Sequence, residues 1–109
     1  MFIYNVTFMV DNSIKNDFLL WMRSSALSML VNAESPAREP RLTLVAEVPG
    51  DPEFAKQACS FAFQAEFPDM PTAKKWAEIY LMPVLGNYTE KFGAERALSF
   101  TTILENIEL

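Results

Sequence analysis

Apolar and polar residues alternate along four separate segments of the chain, which is the pattern of half-buried β-strands. In the first segment, Phe2–Val10, every second position carries a Phe, Tyr or Val side chain. The other three segments are Arg41–Val48, Gln57–Phe67 and Arg96–Ile107. We therefore predict four strands, each of which turns one side towards a core.

Two further segments carry apolar residues at helical spacing and lie between these strands. The first runs from Ile14 to about Asn32. The second begins near Thr72 and ends at Gly93, and Pro83 predicts a kink or break within it. The order of segments predicts one α+β domain over residues 1–109 with a ferredoxin-like βαββαβ fold. Its four-stranded antiparallel sheet would have strands one and three at the centre and both helices on one face.

Composition narrows the functions that this fold could serve. Half of the 109 residues are apolar, which is enough for a packed core without disulfide bonds or structural metal ions. The chain has no histidine and a single cysteine, Cys59, so neither an internal disulfide nor a cysteine-rich zinc site nor histidine-based catalysis is expected. We predict no cofactor, no metal and no catalytic residue.

The charge and hydropathy of the chain bear on its partners and its compartment. A net charge of −5 disfavours nucleic acid as a partner, because phosphate backbones are bound by clustered Lys and Arg. No apolar run approaches the roughly twenty residues of a membrane span, and the first residues lack the positive region of a signal peptide. We expect a cytoplasmic protein that does not bind membranes.

The predicted strands leave one face of the sheet without helices, and its residues are small or weakly polar. We predict that Leu98, Phe100, Thr102 and Leu104 of the last strand face the helices and that the alternate residues face outwards. Six residues of the open face are candidates for a ligand site or a dimer interface: Asn5, Thr7, Ser60, Gln64, Ser99 and Thr101. Because solvated sheet faces normally carry more charge, we expect a homodimer that covers this face.

Three other interpretations stay open, two for that face and one for an edge of the sheet. Its residues could simply be β-favouring residues on a solvated surface. The space between two sheets could form a cavity that binds a small molecule. A free sheet edge at the second strand could instead recruit another protein.

The third strand contains two features that resemble functional motifs. Phe61-Ala62-Phe63 alternates as the base-stacking strand of an RNA-recognition motif does, but the basic residue and glycine expected before it are Cys59 and Ser60. We interpret the two phenylalanines as core residues. Cys59 shares their parity, so we predict a structural role for it on the helix side.

The whole chain resembles a family of short bacterial proteins known as domain of unknown function 4286. The resemblance rests on Ile3-Tyr4-Asn5-Val6-Thr7 in the first strand, Asp17-Phe18-Leu19-Leu20-Trp21-Met22 in the first helix, Lys91-Phe92-Gly93, and Phe100-Thr101-Thr102-Ile103-Leu104-Glu105. The family pattern has a histidine step where this chain has Ala26-Leu27-Ser28, so a histidine-dependent activity is not expected here.

The fold is also similar to that of dimeric α+β barrels. That similarity implies either a homodimeric protein that binds a small ligand or a protein partner, or an enzyme. The enzyme would be a cofactor-independent one of monooxygenase type, with its site between the helices and the sheet. The absence of histidine favours the binding protein.

Overall fold

The computed structural model describes residues 1–51 and 58–109 of the chain. Its strands are β1 (Phe2–Asp11), β2 (Arg38–Leu44), β3 (Ala58–Phe67) and β4 (Ala97–Glu105). They form one antiparallel sheet in the order β2-β3-β1-β4. The central places of β1 and β3 confirm the α+β arrangement predicted from the sequence. The predicted start of β3 at Gln57 lies outside the described residues.

The two helices have the same construction. Helix α1 covers residues 15–30 and contains one wider π-helical turn at Met22–Ala26. Helix α2 covers residues 70–92 and contains such a turn at Ala77–Leu81. A kink or break near Leu81 to Pro83 was predicted; α2 has the π-helical turn just before Pro83 and continues through this residue. Proline cannot donate to the carbonyl four residues earlier, and the wider turn directly before it accommodates that loss.

Both helices pack on the same face of the sheet. The ring of Phe8 in β1 lies 5.3 Å from that of Phe18 in α1 and 5.0 Å from that of Tyr88 in α2, measured between centroids. All three side chains are fully buried. The rest of the aromatic core lies around them: Trp21, Phe61, Phe63, Phe67, Trp76 and Phe92. These bulky rings supply most of the apolar surface that stabilises the fold.

The start of α2 differs from its prediction. Asp69 is the N-cap, since its side chain accepts a hydrogen bond of 2.8 Å from the backbone N–H of Thr72, whereas the sequence pattern placed the start of the helix near Thr72 itself. The hydrogen bonds from Thr72 lower the pKa of the Asp69 carboxyl. At the other end, Gly93 adopts φ +85°, a conformation that favours glycine, and terminates α2 as predicted.

The edge strand β2 begins and ends earlier than its prediction. It starts at Arg38, three residues before the predicted start at Arg41, and ends at Leu44 rather than Val48. Its pairing with β3 shifts between Arg38 and Arg41, where Glu39 adopts φ +50°. Such a bulge next to Pro40 makes the outer edge of β2 a poor template for another strand.

Candidate functional site

The open face is the side of the sheet opposite the two helices, and the pairing of the strands fixes which residues lie on it. Directly paired residues of antiparallel strands share a face, so the register assigns each side chain from those of β1. The open face carries Ile3, Asn5, Thr7 and Met9 of β1; Arg41 and Thr43 of β2; Ser60, Ala62, Gln64 and Glu66 of β3; and Leu98, Phe100, Thr102 and Leu104 of β4.

A hydrogen-bonded group of four polar side chains occupies the centre of the open face. The Asn5 amide Nδ2 donates to Thr7 Oγ1 at 3.1 Å and to Thr102 Oγ1 at 3.3 Å. Its Oδ1 accepts from Gln64 Nε2 at 3.1 Å. The Asn5 amide thereby uses both N–H groups and its carbonyl within the sheet. This polar centre joins the three strands β3, β1 and β4 and could be buried without leaving Asn5 unpaired.

Exposed apolar side chains adjoin the polar centre. Leu98, Phe100 and Leu104 are 47%, 55% and 44% exposed. Across the strand pair, Leu104 lies opposite half-buried Ile3, and Leu98 lies opposite half-buried Met9. These five residues, together called the apolar patch, therefore flank the polar centre on two sides: Met9, Leu98 and Phe100 lie towards one end of β1 and β4, and Ile3 and Leu104 lie towards the other. Single exposed apolar residues are ordinary on protein surfaces, whereas several on one face mark an interaction site.

The sequence-based assignment of faces was wrong for β4. Ser99 pairs with Phe8 and Thr101 with Val6, and both partners face the helices, so Ser99 and Thr101 lie on the helix side. The physical reason is the close approach of α2 to this strand. Buried Ala97 leaves room for the core there, and the Tyr88 hydroxyl of α2 donates to the backbone carbonyl of Leu98 at 3.1 Å.

The other four candidate residues lie where they were expected. Asn5, Thr7, Ser60 and Gln64 all face outwards, and three of them belong to the polar centre. Ser60 is the most buried of the four at 8% exposure. Sequence reasoning missed Thr102 as a member of the polar centre, together with the apolar patch on β4.

Charge lies at the edge of the open face and not at its centre. Arg41 of β2 and Glu66 of β3 form an ion pair with 3.7 Å between nitrogen and oxygen. Around the polar centre, the open-face residues of β1 and β4 are uncharged. A second surface could therefore approach the β1 and β4 half of the face without desolvating a charge.

The helix side of β3 is built as predicted. Phe61 and Phe63 are 3% and 1% exposed within the core, so these two rings are not available for stacking on bases. Cys59 is half-buried on the same side, and its Sγ lies 2.8 Å from Asn12 Oδ1. No group of three His, Cys, Asp or Glu side chains within residues 1–51 and 58–109 could hold a metal ion.

The aromatic core fills the middle of the space between helices and sheet, and a groove of about 340 Å³ remains at the β2 edge, between α1 and the sheet. The ring of Trp21 stacks on that of Tyr88 at 5.7 Å, and Trp76 packs against Phe67 at 5.0 Å. These side chains are at most 8% exposed. The space between the two layers beneath them is occupied by packed side chains.

Fold and site together define a class of α+β proteins in which two helices cover one face of a four-stranded sheet and the other face is exposed and partly apolar. A family model described as "domain of unknown function (DUF4286)" matches residues 1–107, and the chain belongs to this family. Comparison with curated proteins and with solved structures gives no match. Within the described part of the chain, no helix is both long and apolar enough to cross a membrane.

Proposed function

We propose that the protein is a homodimeric binding protein whose two subunits pack open face against open face. The observation that carries this proposal is the apolar patch of Ile3, Met9, Leu98, Phe100 and Leu104 beside the polar centre. A second copy of the chain is the occupant that fits best. It offers the same combination of apolar and paired polar groups, and a two-fold axis brings identical patches together.

The size of the open face fits a dimer. Four strands about 4.8 Å apart and about 30 Å long give roughly 600 Å² per subunit before the relief of side chains is counted. Standard protein interfaces bury about 800 Å² per partner. Sheets that pack face to face lie about 10 Å apart, a spacing at which Phe100 and Leu98 can interdigitate with the partner's side chains.

Polar groups on the face support a binding role over a catalytic one. Amides and hydroxyls dominate its centre, namely Asn5, Thr7, Gln64 and Thr102, and such groups do not gain or lose protons near neutral pH. They can orient a neutral polar ligand held between the two sheets. The remaining acceptor of Gln64 and the threonine hydroxyls would make those contacts.

The proposal is tested by sedimentation of the wild-type protein and of Phe100→Arg. Arginine at position 100 would place an unpaired charge in the middle of the interface, at a cost of several kcal/mol. We expect the dimer dissociation constant to rise at least a hundredfold. The Phe100 side chain is more than half exposed within one subunit, so the variant should keep its fold by circular dichroism.

Thr101→Arg is the matched control, because residue 101 is adjacent, exposed and on the helix side. It should sediment as the wild type does, and so should Lys15→Glu on α1. Thr7→Arg tests the same face from its central strand and should behave as Phe100→Arg does. A wild-type protein that is monomeric at high micromolar concentration would contradict the proposal.

A further inference from the structure

The two halves of the chain share one helical feature that was not predicted from the sequence. In each half, a regular helical segment of seven residues ends at a tryptophan, Trp21 or Trp76, and a π-helical turn of five residues follows directly. A groove lies beside each tryptophan. Because the two grooves have the same construction, a difference in their hydrogen bonding or charge indicates a function that only one of them has.

The first-helix groove lies between α1 and the end of α2 and has a volume of about 410 Å³. Its lining includes Ser13, Asp17, Leu20, Trp21, Lys91 and Arg96. The second-helix groove lies between α2 and the chain after α1, and it includes Glu34, Thr72, Lys75, Trp76, Ile79 and Tyr80. Thr72, Lys75 and Trp76 hold the places in α2 that Asp17, Leu20 and Trp21 hold in α1.

The two tryptophans differ in their hydrogen bonding. The indole N–H of Trp76 donates to the Leu30 carbonyl at 3.0 Å, and the Tyr80 hydroxyl donates to the Glu34 carbonyl at 3.4 Å. The indole N–H of Trp21 has no partner among the residues that the structure describes, although this side chain is only 8% exposed. No fully enclosed side-chain nitrogen in the described ranges lacks a partner, so this N–H must reach the solvent.

Two cations stand at the same groove without an ion pair. Lys91 and Arg96 have no carboxylate within 4.0 Å in the described part of the chain. The Lys91 ammonium lies 5.7 Å from the centre of the Phe92 ring, and this ring packs edge-on against Trp21. Hydrogen bonds from Ser13 are the main cause of the lowered pKa of the Asp11 carboxyl, and the positive charge of Arg96 lowers it further. Both cations are therefore available to a negative ligand.

We propose that the first-helix groove binds a small organic anion, a carboxylate or a phosphate monoester attached to an apolar or aromatic body. Lys91, Arg96 and the Trp21 N–H contact the negative group, since donors of this kind bind carboxylate and phosphate oxygens. The exposed Leu20 side chain contacts the apolar body. The volume suits a ligand of that size. The site is separate from the open face, so it does not depend on the proposed dimer.

The two indole N–H signals in a ¹H–¹⁵N spectrum test this proposal, with phenyl phosphate and benzoate as probes at constant ionic strength. Each probe should shift the Trp21 signal, which Trp21→Phe identifies by its loss, and leave the Trp76 signal in place. Phenol, which has the ring without the charge, should shift neither. Replacement of both cations, Lys91→Gln with Arg96→Gln, should weaken binding at least tenfold.

A further variant and a control test whether the charge of the groove sets the affinity for the anion. Asp17→Asn removes a negative charge from the groove and should tighten binding twofold to fivefold. Lys75→Gln in the second-helix groove is the matched control and should change nothing. The proposal is overturned if neither anion moves the Trp21 signal at 10 mM, if both indole signals move equally, or if phenol acts as phenyl phosphate does. Inorganic phosphate that binds as tightly as phenyl phosphate would overturn the assignment of an organic ligand.

Discussion

Some core side chains of this protein also join the helix layer to the sheet by hydrogen bonds. Tyr88 is fully buried; its hydroxyl donates to the backbone carbonyl of Leu98 at 3.1 Å and lies 3.4 Å from that of Met9. One side chain of α2 therefore fixes the helix to both β1 and β4. Burial raises the pKa of the Tyr88 hydroxyl, because the charged form would lose its hydration.

Tyr88 should therefore limit stability in alkali. The folded protein keeps this hydroxyl protonated, while the unfolded chain loses the proton near its ordinary pKa of 10.0. The stabilisation is complete below pH 10 and declines as the pH rises above that value. We expect spectrophotometric titration to show Tyr88 ionising only when the protein unfolds. Tyr88→Phe should lose about 1 kcal/mol at neutral pH and unfold less steeply in alkali. Tyr88 titration in the folded protein near pH 10 would contradict this.

At the scale of elements, the contrast between the two sides of a strand decides how much the sequence predicts. In β1, buried Val6, Phe8 and Val10 alternate with Asn5 and Thr7, so both the strand and its faces followed from the pattern. In β4, apolar and hydroxyl residues occur on both sides, and the larger set was assigned to the core. The register with β1 and the closeness of α2 decide the faces instead, and neither is visible in a local pattern.

The polar centre could likewise be predicted only in part from the sequence. Three of its members lie on β1 and β3 and were candidates from the sequence, whereas Thr102 depends on the orientation of β4. The π-helical turns were also missed, because the spacing of apolar residues at Trp21 and Trp76 does not distinguish a wider turn from a regular one.

Two substitutions test which side of β4 faces the helices. Each enlarges one residue of the helix side, Ala97 where that side is buried and Thr101 where it is exposed. Ala97 is 4% exposed beneath the end of α2, so Ala97→Leu should overpack the core and lower the free energy of unfolding by about 1 to 3 kcal/mol. Thr101 lies on the same side but is exposed, so Thr101→Leu should change it by less than about 0.5 kcal/mol. Urea denaturation measures both. Equal effects would show that β4 is turned as the sequence pattern indicated.

At the scale of the whole molecule, the protein is a slab of 37 × 36 × 19 Å. One layer of helices on one sheet accounts for the short dimension, and it leaves one broad side of the sheet uncovered. The helices also expose apolar residues, Leu20 at 66% and Met82 at 58%. The open face differs from the helices because its apolar residues lie on two paired strands and flank a hydrogen-bonded polar centre.

The proposed contacts between subunits can be tested directly with isotope-filtered nuclear Overhauser spectra of an equal mixture of labelled and unlabelled protein. We predict that the methyl groups of Met9, Leu98 and Leu104 contact the unlabelled subunit and that those of Leu20 and Met82 do not. Open-face contacts should disappear in Phe100→Arg and persist in Thr101→Arg. Contacts confined to Leu20 and Met82, or to the backbone at the outer edge of β4, would contradict packing through the open face.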